Sequence, residues 1–256
     1  MRNDAAHGQA DHQVRFDWGP TGAAAVARGA DVAVVVDVLS FTTTLTVAVE
    51  RGMTVWPFPW KDERAAAYAE ERDATLAVGR LEARAVGDGA GGGVSLSPAD
   101  LARVSGVERL VLPSPNGSTI CATLAETGVE VVAACLRNRT AVAHRLAHRG
   151  GTIAVVASGE RWPDGSLRPC AEDLWGAGAV LATLADHGLD DLSPEARSAE
   201  AAFRAVEPTL AEALHACAGG RELAEAGFAA DVGVATQVDV SMVVPVLGEH
   251  GAFSPR

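Results

Sequence analysis

Short runs of Val, Leu, Ile and Ala alternate along the chain with Ala-rich stretches whose apolar positions recur every three or four residues. Continuous apolar runs of four or five residues suit strands covered on both faces, and the wider spacing suits amphipathic helices. The pattern predicts strands at residues 32–36, 54–58, 75–78, 109–112, 130–134 and 152–157, then at 232–235 and 242–246. It predicts helices at 42–51, 62–72, 98–104, 118–127, 140–149, 172–187, 194–206, 208–216 and 221–226. Alternating strands and helices imply an α/β layered sandwich with a largely parallel sheet. The reading is of one domain, with a helical segment in the C-terminal half, at about 172–227, set apart as a subdomain or cap. The first twenty residues read as a frayed start, and 86–98, with five glycines and two serines, as a loop.

Composition narrows the picture in two places. A formal net charge of −12 argues against a nucleic-acid partner, because phosphate backbones are gripped by clustered Lys and Arg. An anionic small-molecule substrate stays open, since a local arginine cluster or a metal reverses the sign inside one cleft. No window approaches the roughly 20 apolar residues of a membrane helix. The N-terminal stretch has no apolar core of signal-peptide length, so a cytoplasmic protein without membrane contact is expected. Oligomeric state is left open, a homo-oligomer included. Cys121, Cys135, Cys170 and Cys217 form no CxxC pair, and Cys121 and Cys135, inside apolar runs, read as buried, inert thiols.

The candidate chemistry sits where apolar runs end, because ligands of open α/β sheets gather beyond the carboxyl ends of the strands. After 32–36 come Asp37, Ser40, Thr42, Thr43 and Thr44. After 109–112 comes PSPNGST, which brings Ser114, Asn116, Gly117, Ser118 and Thr119 to a helix start. After 130–134 come Arg137, Asn138 and Arg139, and after 152–157 come Ser158, Glu160, Arg161, Arg168, Glu172 and Asp173. Hydroxyls and free amides at a helix start bind phosphate with help from the helix dipole. Arg137 and Arg139 offer bidentate grips for an anion, and Asp37, Glu172 and Asp173 are the hard oxygen ligands that Mg²⁺ prefers. Each group also has a plainer role, as a helix cap, a turn residue or a surface charge. Asp37 is hardest to treat so, since an acid closing an apolar strand needs a partner. His144 and His148 lack the glutamate of HExxH and read as a solvated pair, and neither a GxSxG elbow nor a Walker lysine motif is present.

Taken in order, VVVDVLSFTTTLTVAVERG, SLSPADL, LVLPSPNGSTICA, CLRNRTAVA, VVASGERW with AEDLWGAGAV, GRELAEAGFAADV and MVVPV resemble the 2-phosphosulfolactate phosphatase family, the ComB-like proteins. The resemblance runs from about residue 30 to 246. It implies an α/β fold and a Mg²⁺-dependent phosphatase that cleaves the phosphate ester of a 2-hydroxy acid. The named substrate is 2-phosphosulfolactate, giving 3-sulfolactate and phosphate in coenzyme M biosynthesis. On that reading Asp37, Glu172 and Asp173 hold Mg²⁺ and Glu160 is the general base. Thr42, Thr43, Asn116, Gly117 and Ser118 cradle the phosphoryl group. Arg137, Asn138, Arg139 or Arg161 hold the remaining anionic group. A variant makes Asp37 the nucleophile. Where the family commonly reads Arg-Ala before its three threonines, this chain has Ser40 and Phe41, and its NSP element reads LSP. A non-catalytic binding protein for a phosphorylated small acid is the alternative on the same scaffold.

Overall fold

In a computed structural model, residues 4–59, 63–86 and 93–255 are described. Eleven strands follow in chain order: β1 (Val14–Trp18), β2 (Val32–Val36), β3 (Thr54–Phe58), β4 (Thr75–Leu76), β5 (Arg109–Pro113) and β6 (Glu130–Ala134), then β7 (Ile153–Ala157), β8 (Glu160–Arg161), β9 (Leu167–Arg168), β10 (Pro245–Leu247) and β11 (Phe253–Pro255). Nine of them form one sheet in the order β1-β7-β2-β6-β10-β11-β3-β5-β4, while β8 and β9 pair with each other as a small hairpin.

The apolar runs become buried strands for the reason their composition gives. All five residues of β2 are buried, and they alternate between the two faces. Val32, Val34 and Val36 belong to one buried cluster, with Val180, Leu181 and Phe203. Ala33 and Val35 belong to another, with Leu45, Ile120 and Leu124. The first layer is built from the helices Arg139–Arg149, Ala171–Asp186 and Pro194–Val206, and the second from Gly19–Val26, Phe41–Glu50 and Gly117–Ala125. With both faces covered, no polar alternation is needed along the strands. The helices Ala171–Asp186 and Pro194–Val206, expected as part of a separate segment, contribute to the main apolar cluster on β2 and β7.

Two parallel blocks make up the sheet. β1, β7, β2 and β6 run in one sense, and β3, β5 and β4 are parallel among themselves. The β10–β11 hairpin joins the blocks through three antiparallel pairings, so their senses are formally opposed. Five strand-to-strand steps separate β2 from β5 in this order. At roughly 20–25° of twist per step the rotation reaches on the order of 100–125°. Twist turns the strand directions of the two blocks away from strict opposition, and the 3.0 Å bond from the Gly117 N–H to Asp37 records that the exits of β2 and β5 meet.

Several expectations are corrected. Residues 232–235 lie in the helix Ala229–Ala235 and not in a strand, since four apolar residues are too few to separate a strand from a buried helical turn. The strand expected at 242–246 begins only at Pro245, and Met242 is 83% exposed. The supposedly frayed start supplies the edge strand β1, paired in parallel with β7, where Arg15 and Asp17 interrupt the apolar positions Val14, Phe16 and Trp18. The helix Gly19–Val26 was hidden by its two glycines and a proline, and Arg80–Val86 by its charges. Most of the glycine-rich loop, residues 87–92, lies outside the described residues. Among the described residues no helix is long and apolar enough to cross a membrane. All four cysteines are free, and burial pushes their thiols above the usual range.

Between the helices Ala171–Asp186 and Pro194–Val206 the packing is tight at Gly178, where an added Cβ would lie 2.2 Å from the Ala199 carbonyl oxygen and 2.7 Å from the Phe203 Cβ. Overpacking of this kind costs about 1–3 kcal/mol. Gly178→Ala is therefore expected to lower the thermal midpoint by several degrees in a melting experiment; an unchanged midpoint would contradict this packing.

Candidate active site

Asp37 directly follows β2 and is only 6% exposed. Its Oδ1 accepts the Phe41 N–H at 3.1 Å, at the start of the helix Phe41–Glu50. Its Oδ2 accepts the Gly117 N–H at 3.0 Å, at the start of the helix Gly117–Ala125. One carboxylate thus satisfies orphan amides of two helices and lies at the positive end of both dipoles. Gly117 is required by space: a Cβ there would stand 2.4 Å from Phe41 and 2.7 Å from the Asp37 carboxylate.

Asp173, also buried, forms a second clasp. Its Oδ1 accepts the Val38 N–H at 2.7 Å and its Oδ2 the Gly159 N–H at 2.8 Å, joining the exits of β2 and β7. Two further acids, Glu160 and the buried Glu172, act electrostatically on this pair. Burial first, then the Glu160 charge, pushes the Asp37 carboxyl up to about 7, against the pull of its two amide donors and with a smaller push from Glu172. Burial, followed by repulsion from Asp37 and Glu172, holds the Asp173 carboxyl well above the usual carboxylate range. Four acids drawn toward one another make a site that a cation would relieve.

The open space lies in two adjoining cavities. The inner one, of about 140 Å³, is lined by Asp37, Ser40, Arg80, Ser114, Asn116 and Glu160. The outer, of about 600 Å³, is lined by Arg80, Glu160, Arg161, Arg168 and Glu172 among others. The β8–β9 hairpin supplies Glu160, Arg161 and Arg168. Asn116 precedes its helix, is buried to 7% exposure, and makes no capping hydrogen bond with its side chain. Among the described residues its side chain has no hydrogen-bond partner, and it lines the inner cavity.

The remaining candidates are placed elsewhere, with physical reasons. Thr42 and Thr43 are fully buried, and their hydroxyls donate to the carbonyls of Asp37 and Val38, both at 2.8 Å. Ser118 Oγ serves the carbonyls of Phe58 and Ser114, and the Gly117 amide is taken up by Asp37. Asn138 bonds the Cys135 amide and the carbonyls of Ala133 and Val243. Arg137 pairs with Glu50 at 2.9 Å and also donates to Gln237, while Arg139 pairs with Glu207 and Asp239. None of Thr42, Thr43, Ser118, Arg137, Asn138 and Arg139 lines either cavity. Sequence reasoning missed Arg80, which lines both. It follows the 75–78 run, so the strand-exit rule that named the others would have found it there.

Among the described residues no three His, Cys, Asp or Glu side chains form a group that could hold a metal ion. Asp37, Glu172 and Asp173 do not form such a group in this arrangement, and the oxygens of Asp37 and Asp173 alike each accept an amide, so either acid would offer an ion only its remaining lone pairs. The residues still fit Mg²⁺ in the form it usually takes at phosphate sites, with one or two carboxylates and the rest of its shell from substrate oxygens and water. Asp37 and Glu160, facing one cavity, are the pair that would hold it.

Carboxylates, an arginine and an unengaged side-chain amide, gathered where strand ends meet, define an α/β protein that handles small anions. A sequence profile described as 2-phosphosulpholactate phosphatase matches residues 23–250, and the chain belongs to that family. It is similar to a probable 2-phosphosulfolactate phosphatase of Deinococcus radiodurans, 33% identical over 229 residues that cover 85% of this chain and 88% of the relative. A protein of the same description from Thermus thermophilus is 33% identical over 221 residues, with 85% and 88% covered. One from Thermosynechococcus vestitus is 31% identical over 243 residues, with 91% of each chain covered.

The raised Asp37 carboxyl fixes the sign of a pH effect. In the unfolded chain it ionises near its ordinary value of 3.8, whereas the folded protein resists ionisation up to about 7. Its contribution to stability is thus lost as pH rises from about 4 to 7. In chelator, the stability of the wild type minus that of Asp37→Asn should fall between pH 5 and pH 8. A difference that rises over that interval would contradict the assignment. In addition, Gly117→Ala should displace the carboxylate and cut any activity of the site by on the order of 100-fold.

Proposed function

We propose that this chain is a Mg²⁺-dependent phosphatase for the phosphate ester of a small 2-hydroxy acid, 2-phosphosulfolactate or a close relative. The observation that carries the reading is the buried Asp37, placed by two helix starts at the wall of a cavity it shares with Glu160 and Asn116, in a chain of this family.

Phosphoryl transfer asks a protein mainly for positioning and charge neutralisation. Mg²⁺, when bound, would neutralise phosphoryl oxygens and lower the pKa of a coordinated water. Asp37 and Glu160 would hold it, and Asn116 would donate its amide hydrogens to a phosphoryl oxygen. Glu160, half-buried at the seam of the two cavities, would accept a proton from the attacking water and return it to the departing ester oxygen, which leaves as the alcohol of the 2-hydroxy acid. Arg161 and Arg168, on the outer cavity, would meet a second anionic group of the substrate. Leu39, Phe41 and Leu96 give the inner cavity an apolar part of its wall.

Release of inorganic phosphate from 2-phosphosulfolactate and 2-phospholactate, with Mg²⁺ and with chelator, tests the proposal. Turnover that needs Mg²⁺ is expected, and it should fall by on the order of 100-fold or more in Asp37→Asn and in Glu160→Gln. Ester binding without phosphate release would establish the non-catalytic binding protein instead.

A further inference from the structure

The inner cavity is acidic, with Asp37 and Glu160 in its wall, and among the described residues Arg80 is the one positively charged group lining it. An anion entering beside two carboxylates needs a cation fixed in place, and the surroundings of Arg80 fix it. Its Nε donates to Asp231 Oδ2 at 2.6 Å and its Nη2 to Ser40 Oγ at 2.5 Å. The Arg80 side chain remains 18% exposed, but that of Asp231 is 1% exposed. Asp231 is itself anchored by the Ser97 hydroxyl and by the Ala99 N–H at 3.3 Å.

A buried carboxylate is costly unless paired and fully hydrogen-bonded. Asp231 meets that requirement on one side with Ser97 and Ala99 and on the other with the guanidinium. The pairing orients a planar donor fork before any ligand arrives, so less side-chain freedom is lost on binding. Ser40 matters for the same reason. It follows the acid of β2 by three residues and ties the guanidinium to the segment that carries Asp37.

We infer that Arg80 is the residue that binds the phosphoryl group in the inner cavity and that Asp231 is its positioning residue. The phosphoryl assignment rests on the phosphatase reading, whereas the anion grip itself rests on the geometry alone. Arg80 then does for this chain what Arg137 and Arg139, tied to Glu50, Glu207 and Asp239, are not placed to do.

Calorimetric binding of inorganic phosphate, which needs no turnover, is measured beside steady-state kinetics with 2-phospholactate. Arg80→Gln should weaken phosphate binding about tenfold or more and raise KM by a similar factor. Asp231→Asn should raise KM in the same direction with kcat changed by no more than about threefold, a split that general loss of structure does not produce. Arg84→Gln, a charge change on the same helix at a residue that bonds the Gly227 carbonyl, should leave both unchanged. Where Arg80→Gln does not fold, Arg80→Lys keeps the charge without the fork and should weaken phosphate binding in the same direction. Phosphate bound as tightly by the Arg80 variants as by wild type, or not bound by wild type at all, overturns the inference. Phosphate binding that depends on Arg80 in a protein that hydrolyses no ester would overturn the phosphatase reading and leave the anion grip standing.

Discussion

The Asp37 carboxylate holds the centre of this molecule together. Its two oxygens accept amides from the first turns of two helices that follow different strands, β2 and β5. Those strands belong to sheet blocks of opposed sense, so no local rule of βαβ packing brings them together. The ends meet across the sheet, and a charged acceptor between two helix dipoles fastens them. The same act buries an acid among other acids. Stabilising contacts and unfavourable charge are therefore two consequences of one placement.

That placement gives the site its chemistry. A carboxyl pushed up to about 7 by burial and by Glu160 is poised near neutrality, where a small change in surroundings alters its charge. A divalent cation or an arginine-bound anion would act on just such a group. Asp173 repeats the arrangement on the β7 side, and the two clasps leave Glu160 and Asn116 facing the inner cavity. The outer cavity, with arginines from the β8–β9 hairpin, extends it toward solvent.

Much of the sheet was legible because a strand covered on both faces must be apolar throughout. β2, β3 and β6 match the expected bounds for this reason. β1 was not legible, since its burial depends on neighbours that supply carbonyl partners for Arg15, a fact of tertiary structure. At the site, the strand-exit rule pointed to Asp37, Asn116, Glu160, Arg161, Glu172 and Asp173, all near the cavities or coupled to them. It could not distinguish a hydroxyl that faces a ligand from one that satisfies a carbonyl, which is where Thr42, Thr43 and Ser118 went. Nor could it tell a free arginine from a paired one, as Arg137 and Arg139 show. Asp231 was hidden because it borders a four-residue apolar run that reads as a strand but forms a helical turn.

The central claim is that Asp37 is a buried acid held near neutrality and awaiting a positive partner. Titration of its carboxyl carbon by NMR, with and without Mg²⁺ and phosphate, measures this directly. The account predicts a midpoint near 7 in the free protein, displaced downward when Mg²⁺ and phosphate are added. A midpoint at the ordinary value of 3.8, unmoved by either addition, would contradict it.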